Sequence, residues 1–361
     1  MKILILANDD AGLYKFRREL IQTLIVQGDD IFISMPDGEY IPLFKDMGCI
    51  FFDTFVDRRG RNPLKDMKLL IQYARLMKEI QPDIVLTYTI KPNIYGGLIS
   101  SLYHVKYIEN ITGLGTAIEN KGMLSKVLLF LYRIGLKNAS QVFFQNIENK
   151  NFFTKNKIIK RGCLIPGSGV NLQEHCYEEY PENIGEIRFA FIGRIMKDKG
   201  IEELLFGAEH LKCMHHNVFF DIIGEFDEDI YRGQVEKLEK EGVVTYLGLQ
   251  SDVHSIIKKH HAVILPSYHE GLSNVLLEAA ACGRPVLATR VPGCKETYEE
   301  GVSGIGFDAK SAESLVEAVE KFLALSYEEK RKMGIRGRIK VEKEFDRQFV
   351  IQVYMQEIKG I

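Results

Sequence analysis

Two doubly wound parallel α/β domains in tandem are the fold class that this sequence predicts. Three observations carry that expectation. The chain has 361 residues, more than one hydrophobic core usually supports. Short strand-like runs alternate with amphipathic stretches, the mark of βαβ units whose sheet is covered on both faces. The series then starts afresh near residue 186, after the acidic, loop-like QEHCYEEYPENIGE (173–186).

The first-half runs are KILILA (2–7), DIFISM (30–35), CIFFDTF (49–55), DIVLTYT (83–89), VKYIENI (105–111) and QVFFQN (141–146). The second-half runs are CLIPGSGV (163–170), RFAFIG (188–193), VFFDIIG (218–224), VVTYLG (243–248), AVILPS (262–267) and RPVLATR (284–290). Between them, YKFRRELIQTLIVQG (14–28) and EELLFGAEHLK (202–212) place apolar residues at helical spacing. LSNVLLEAAACG (272–283) reads as a helix closed by Gly283 with Pro285 beyond. The expected domains are 1–167 and 168–343, both Rossmann-like, with a cleft between them and a C-terminal helix, 344–361, packing back towards the first.

Composition narrows the function classes. Hydrophobic residues make up 46% and charged residues 27%, as in ordinary globular proteins. Six cysteines lie scattered, with no C-x-x-C pair, and read as reduced thiols of a cytoplasmic protein. No apolar run approaches the ~18–20 residues of a membrane helix, and MKILILAND reads as a first strand rather than a signal peptide. Residues 1–165 carry net +7 and the remainder net −9, so the first half is expected to face something anionic. No nucleic-acid motif is present, which leaves an anionic membrane surface as the candidate partner. KGMLSKVLLFLYRIGLKN (121–138) fits that partner as a basic amphipathic helix, and equally fits a core helix with a basic edge. The basic DRRGRNPLK (57–65) adds to the same side.

In doubly wound sheets, ligands lie beyond the carboxyl ends of the strands. Three post-strand stretches therefore carry the chemistry. In PSYHEGLSNVLLEAAACG (266–283), Glu270 follows a strand, and the backbone N–H groups of Gly271, Leu272 and Ser273 would open a helix N-terminus suited to an anion. Glu278 stands eight residues on, about 2.2 turns. The pair suits an extended ligand with a phosphate in its middle, or else a cap and a solvated helix residue. In FIGRIMKDKG (191–200), Arg194 and Lys199 share a loop and suit the two phosphates of a diphosphate, or else are solvated. In NDDAGLYKFRREL (8–20), Ala11-Gly12 reads as a tight turn, with Arg17 or Arg18 able to meet an anionic acceptor or remain solvated. DED (227–229) reads as solvated acids rather than a metal motif.

GRIMKDKG, followed by PSYHEGLSNVLLEAAACGRPVLATRVPGCKE and GVSGIGF in that order, resembles the family-four retaining glycosyltransferases of the GT-B fold. TGLGTA (112–117), FFQN (143–146) and GSGVN (167–171) resemble the branch that builds bacterial surface polysaccharides on polyprenyl diphosphate. That resemblance implies a UDP-sugar donor, a lipid-linked sugar acceptor, no metal, no cofactor, and a cytoplasmic chain working at the inner face of the cell membrane. It implies that Glu278 accepts from ribose hydroxyls, that Glu270 contacts the transferred sugar, that Arg194 and Lys199 hold the diphosphate, and that Gly12 lets a loop close over it. Many relatives carry a histidine where this chain has Thr112, so Asn110 and Thr112 become candidate sugar or acceptor contacts, and His269 a wall residue. A sugar-nucleotide 2-epimerase of the same architecture and a non-catalytic sugar-nucleotide sensor are the competing classes.

Overall fold

The computed structural model describes residues 1–57, 60, 62–113, 122–182 and 185–360. The chain divides into two compact units, Met1–Ser168 with Val350–Ile361, and Gly169–Phe349. Each is built on one all-parallel sheet. The first contains β1 (Lys2–Leu6), β2 (Asp30–Met35), β3 (Ile50–Asp53), β4 (Ile84–Tyr88), β5 (Lys106–Ile111), β6 (Gln141–Phe144) and β7 (Cys163–Leu164), in the order β3-β2-β1-β4-β5-β6-β7. The second contains β8 (Ile187–Ile192), β9 (Val218–Ile223), β10 (Val244–Gly248), β11 (Ala262–Leu265), β12 (Val286–Thr289) and β13 (Gly304–Phe307), in the order β10-β9-β8-β11-β12-β13. Both are doubly wound, with the strand order reversing between β1 and β4 and between β8 and β11. Ligands of such sheets collect at those reversals.

The inner strands, such as β1, β4 and β11, are buried on both faces, which explains their near-continuous apolar runs. In β1, Ile3 and Ile5 join one core with Leu20, Leu24, Ile33 and Leu86. Leu4 and Leu6 join another with Tyr73, Leu76 and Val85. The period of two along a strand thus feeds two helix layers. In the second unit Phe189, Phe220, Ile222, Ile264, Leu276 and Leu287 belong to one continuous core.

Three expectations are corrected. The run 163–170 pairs with the first sheet, and only at Cys163–Leu164, because Pro166 and the left-handed Gly167 and Gly169 (φ 60° and 64°) end the strand. GVSGIGF contributes the edge strand β13, which was not among the expected strands. Ala11 and Gly12 form no tight turn. The helix Asp10–Val26 begins before them, because the Asp9 side chain caps it by accepting the Gly12 N–H at 3.1 Å.

The last helix, Arg347–Lys359, begins in the second unit, and from Val350 onward the chain belongs to the first. Val350, Ile351, Tyr354 and Ile358 enter the first unit's core at helical spacing. Lys359 Nζ pairs with the buried Asp29 Oδ2 at 2.9 Å. Tyr354, fully buried, is the largest of these. Tyr354→Ala should lower stability by about 3–5 kcal/mol, read as a fall in the urea midpoint of the first unit. An unchanged midpoint would contradict this packing.

Candidate active site

Three loops at the carboxyl ends of β8, β11 and β12 are fastened to one another by glycines and backbone hydrogen bonds. After β8, residues 193–200 end in the short turn Lys197–Lys199 and the left-handed Gly200 (φ 72°). A Cβ on Gly200 would lie 2.1 Å from the Pro266 carbonyl oxygen after β11. The Tyr268 N–H donates to the Asp198 carbonyl at 2.9 Å. After β12, a Cβ on Gly293 (φ +84°) would lie 2.5 Å from the Glu270 carbonyl oxygen. Thr289 Oγ1 donates to the Ser267 carbonyl at 2.6 Å. Only residues without a side chain permit these approaches.

The consequence is an ion pair between Lys199 Nζ and Glu270 Oε1, both side chains largely withdrawn from water. Ser267 Oγ donates to the same carboxylate oxygen at 2.8 Å. Lys199 follows β8 and Glu270 follows β11, so the pair stands at the sheet's reversal point. One of the three ammonium donors goes to Glu270. The remaining capacity of the group suits an anionic oxygen. Arg194, on the same loop, is more than half exposed, and its Nη1 lies 3.5 Å from Asp227 Oδ1. His269 Nε2 lies 3.8 Å from Asp198 Oδ2.

The DED acids are therefore not simply solvated. Asp227 orients Arg194, and Glu228 Oε2 accepts the Lys197 N–H at 2.9 Å; among the three, Asp229 is the exposed one, facing Arg232 at 3.1 Å. The order of the residues hides this, since the acids follow β9 while the cations follow β8.

The helix expected from Leu272 begins at Asn274 and runs to Ala281. Two readings change with it. The Ser273 N–H is not free for an anion, because it donates to the Gly293 carbonyl at 2.8 Å. Glu270 lies four residues before the helix, so counting 2.2 turns from it to Glu278 does not apply. Gly271 is half-buried and Leu272 buried beside them. Leu276, Leu277, Ala279, Ala280 and Ala281 are buried, which leaves Asn274, Val275 and Glu278 on the less buried side. Asn274 and Glu278 are i and i+4 neighbours. Asn274 Oδ1 is buried and meets no hydrogen-bond partner among the described residues. Asn274 was not among the residues expected from sequence, and its i, i+4 spacing from Glu278 is the signal that marks it.

In the first unit, the candidate residues part company. Thr112 is exposed just beyond β5. Gly12 is half-buried in the first helical turn, and a Cβ there would strike Asp9 Oδ2 at 2.4 Å. Arg17 and Asn110 lie in the interior of the unit. Arg17 is buried, its guanidinium 5.2 Å from the Tyr88 ring centroid and 5.6 Å from that of Tyr354. It donates to the Phe16 carbonyl at 2.8 Å. Asn110 Nδ2 donates to the Thr87 carbonyl at 2.9 Å, and its Oδ1 accepts from the Tyr354 hydroxyl. Its own carbonyl accepts from Asn93 Nδ2 at 2.8 Å. These groups satisfy one another, as buried polar groups must. TGLGTA lies, after Gly113, outside the described residues.

Residues 177–340 match the family described as glycosyl transferases group 1, and residues 2–146 match glycosyl transferase 4-like. The chain is 26% identical to the N,N'-diacetylbacillosaminyl-diphospho-undecaprenol alpha-1,3-N-acetylgalactosaminyltransferase of Campylobacter jejuni, covering 99% of this chain and 98% of that one. It is 27% identical to the capsular polysaccharide biosynthesis glycosyltransferase CapM of Staphylococcus aureus, over 79% and 78% of the two chains. Among solved structures, Anabaena HepE in complex with UDP-glucose superposes with a TM-score of 0.81 at 17% identity, over all of both chains.

The glycine contacts generate a test. Gly200→Ala places a side chain at φ 72° against the Pro266 carbonyl. It should cost at least about 1–2 kcal/mol of stability from backbone strain alone. Its crystal structure should show residues 193–200 shifted away from Pro266. An unmoved loop with unchanged stability would remove the glycine's assigned role.

Proposed function

We infer the reaction from a premise that the matches supply: this chain belongs to the group 1 glycosyltransferases and is a two-domain enzyme of the GT-B fold. We propose that it moves a hexose or N-acetylhexosamine from a UDP-sugar to a polyprenyl-diphosphate-linked glycan, with retention at the anomeric carbon and without a metal. The observation that carries this reading is the Lys199–Glu270 pair at the β8/β11 reversal, with Arg194 on the same loop and Asn274 and Glu278 along the following helix. The lipid-linked acceptor is supported by the name of the C. jejuni relative, and the alpha linkage in that name is what retention from an α-linked nucleotide sugar gives. The uridine nucleotide is supported by the ligand of the Anabaena structure.

The barrier in such a transfer is charge separation. Positive charge grows on the sugar carbon while negative charge grows on the departing diphosphate. Fixed cations placed where that negative charge develops stabilise the transition state without reorganising. Lys199 does this from a rigid position, because Gly200 and Glu270 hold its loop. Arg194 does so from a more exposed one. Glu270, beside Lys199, faces the side of growing positive charge, and Glu278 accepts from sugar hydroxyls of the nucleoside. Attack on the same face lets a leaving phosphate oxygen take the acceptor proton, so no protein base is assigned. In this reading the two cations, Lys199 and Arg194, carry the charge neutralisation at the diphosphate.

The acceptor's lipid tail calls for a membrane surface. In the first unit, Met123, Val127, Phe130 and Ile134 of the helix Met123–Gly135 are exposed at helical spacing, with Lys126 and Arg133 beside them also exposed. Leu64, Met67 and Ile71 of the helix Pro63–Ile80 are exposed in the same way. Both helices pack against the turn Pro92–Gly96. Scattered apolar residues need no explanation, but two such stripes flanked by cations suit the headgroup region of an anionic bilayer. No helix among the described residues is long and apolar enough to cross a membrane.

A screen of nucleotide sugars with a polyprenyl-diphosphate-linked acceptor, read by release of nucleoside diphosphate, should single out a UDP-sugar and be insensitive to chelator. Lys199→Ala should lower kcat by about 10²–10³, while Glu278→Ala should chiefly raise the donor KM. Wild-type kinetics in both variants would overturn the assignment. In flotation with vesicles, the protein should follow anionic lipid, and Val127→Glu with Phe130→Glu should abolish that while the fold persists by circular dichroism. Undiminished flotation of the double variant would contradict the membrane face.

A further inference from the structure

At the far end of the helix that carries Glu278, about 12 Å of helix from its N-terminus, a second cluster of reactive side chains surrounds His254. It joins the segment after β7 to the short helix Val253–Ile257. Cys176 Sγ lies 3.8 Å from His254 Nε2 and 3.9 Å from Glu178 Oε1, and Glu178 Oε1 lies 2.9 Å from His254 Nε2. On the other side of the ring, His254 Nδ1 lies 3.1 Å from Cys282 Sγ.

We propose that Cys176, Glu178 and His254 form a binding site for a soft divalent cation of the zinc class. Tetrahedral zinc with ligands at about 2.0–2.3 Å sets neighbouring ligand atoms roughly 3.3–3.8 Å apart. The three separations bracket that range, and only the half-exposed Glu178 carboxylate has to draw back by a few tenths of an ångström. One thiolate and one carboxylate balance the ion's two positive charges, and the thiolate favours zinc over magnesium or calcium. On binding, the Cys176 thiol gives its proton to solvent, and His254 coordinates through Nε2 as the neutral tautomer whose single proton sits on Nδ1, towards Cys282. That outer contact fixes the ring, as partners of metal-bound histidines do.

The ligands are held in advance. The Glu178 carbonyl accepts from the buried Arg284 Nη1 at 2.9 Å, and the Glu178 N–H donates to the Cys282 carbonyl at 3.3 Å. Asp252 caps the helix of His254 by accepting the Ser255 N–H at 3.0 Å. An inner grouping of His175, His254 and Cys282 is also close enough to hold an ion. It is the poorer choice, since it offers one anionic ligand only and its Cys282 is buried while Cys176 is exposed. The fourth position of the outer set opens on the side of the exposed Cys176. A bound ion would fasten residues 176–178 to the helix of His254.

Titration of the purified full chain with cobalt(II) alone tests this. It should give a saturable 1:1 spectrum with tetrahedral d–d bands and a thiolate-to-cobalt charge-transfer band, bleached by added zinc. Cys176→Ser should abolish the charge-transfer band. Glu178→Gln and His254→Asn should each weaken binding at least tenfold. Cys213→Ser, at an exposed cysteine outside the cluster, should leave the spectrum intact, and circular dichroism should show every variant folded. Absence of saturable binding in the wild type overturns the proposal. So does a charge-transfer band that survives Cys176→Ser, including one lost instead in Cys282→Ser. The readout is independent of transferase activity and of the reading above.

Discussion

The approach of Gly200 to the Pro266 carbonyl is the contact on which the candidate site depends. It lets the loop after β8 lie directly on the loop after β11, and so brings Lys199 to Glu270 across the sheet's reversal point. Gly293 against the Glu270 carbonyl does the same from the β12 side. Three loops that are separate in sequence become one rigid wall. Preorganisation is what such a site needs, because cations that must first be gathered spend binding energy on their own ordering.

Pairing an acid with a base at this point has a further effect. Glu270 keeps Lys199 from a random search of solvent, and Lys199 compensates the charge of a largely buried acid. Removing one partner alone leaves the other poorly compensated in a half-buried setting. Asp227 plays the corresponding part for Arg194, though at the surface, where such a pair orients more than it stabilises.

The first unit shows why charged and amide residues near strand ends mislead. Arg17 lies between two tyrosine rings and Asn110 is enclosed by Thr87, Asn93 and Tyr354. Both hold the C-terminal helix to the sheet. Nothing local in NDDAGLYKFRREL or VKYIENI announces this, because the partner, Tyr354, stands 244 residues beyond Asn110. Gly12 belongs to a helix capped by Asp9, and the aspartate in NDD is the local signal of that cap.

By itself, the sequence determined the two parallel sheets, most of their strands to within a few residues, the post-strand loops that carry Arg194, Lys199, Glu270 and Glu278, and the family, while β13 and the shortness and sheet of β7 escaped it. Those follow from local periodicity and from the rule that doubly wound sheets gather ligands at strand ends. Tertiary structure alone decided which of those residues meet. It paired Lys199 with Glu270, drew Asp227 to Arg194, withdrew Arg17, Asn110 and the Ser273 N–H into internal bonds, and assembled Cys176, Glu178 and His254. The physical reason is that strand order, rather than chain order, sets neighbours in such a sheet. A side chain's partner comes from whichever loop the reversal places beside it, and no spacing in the sequence records that choice.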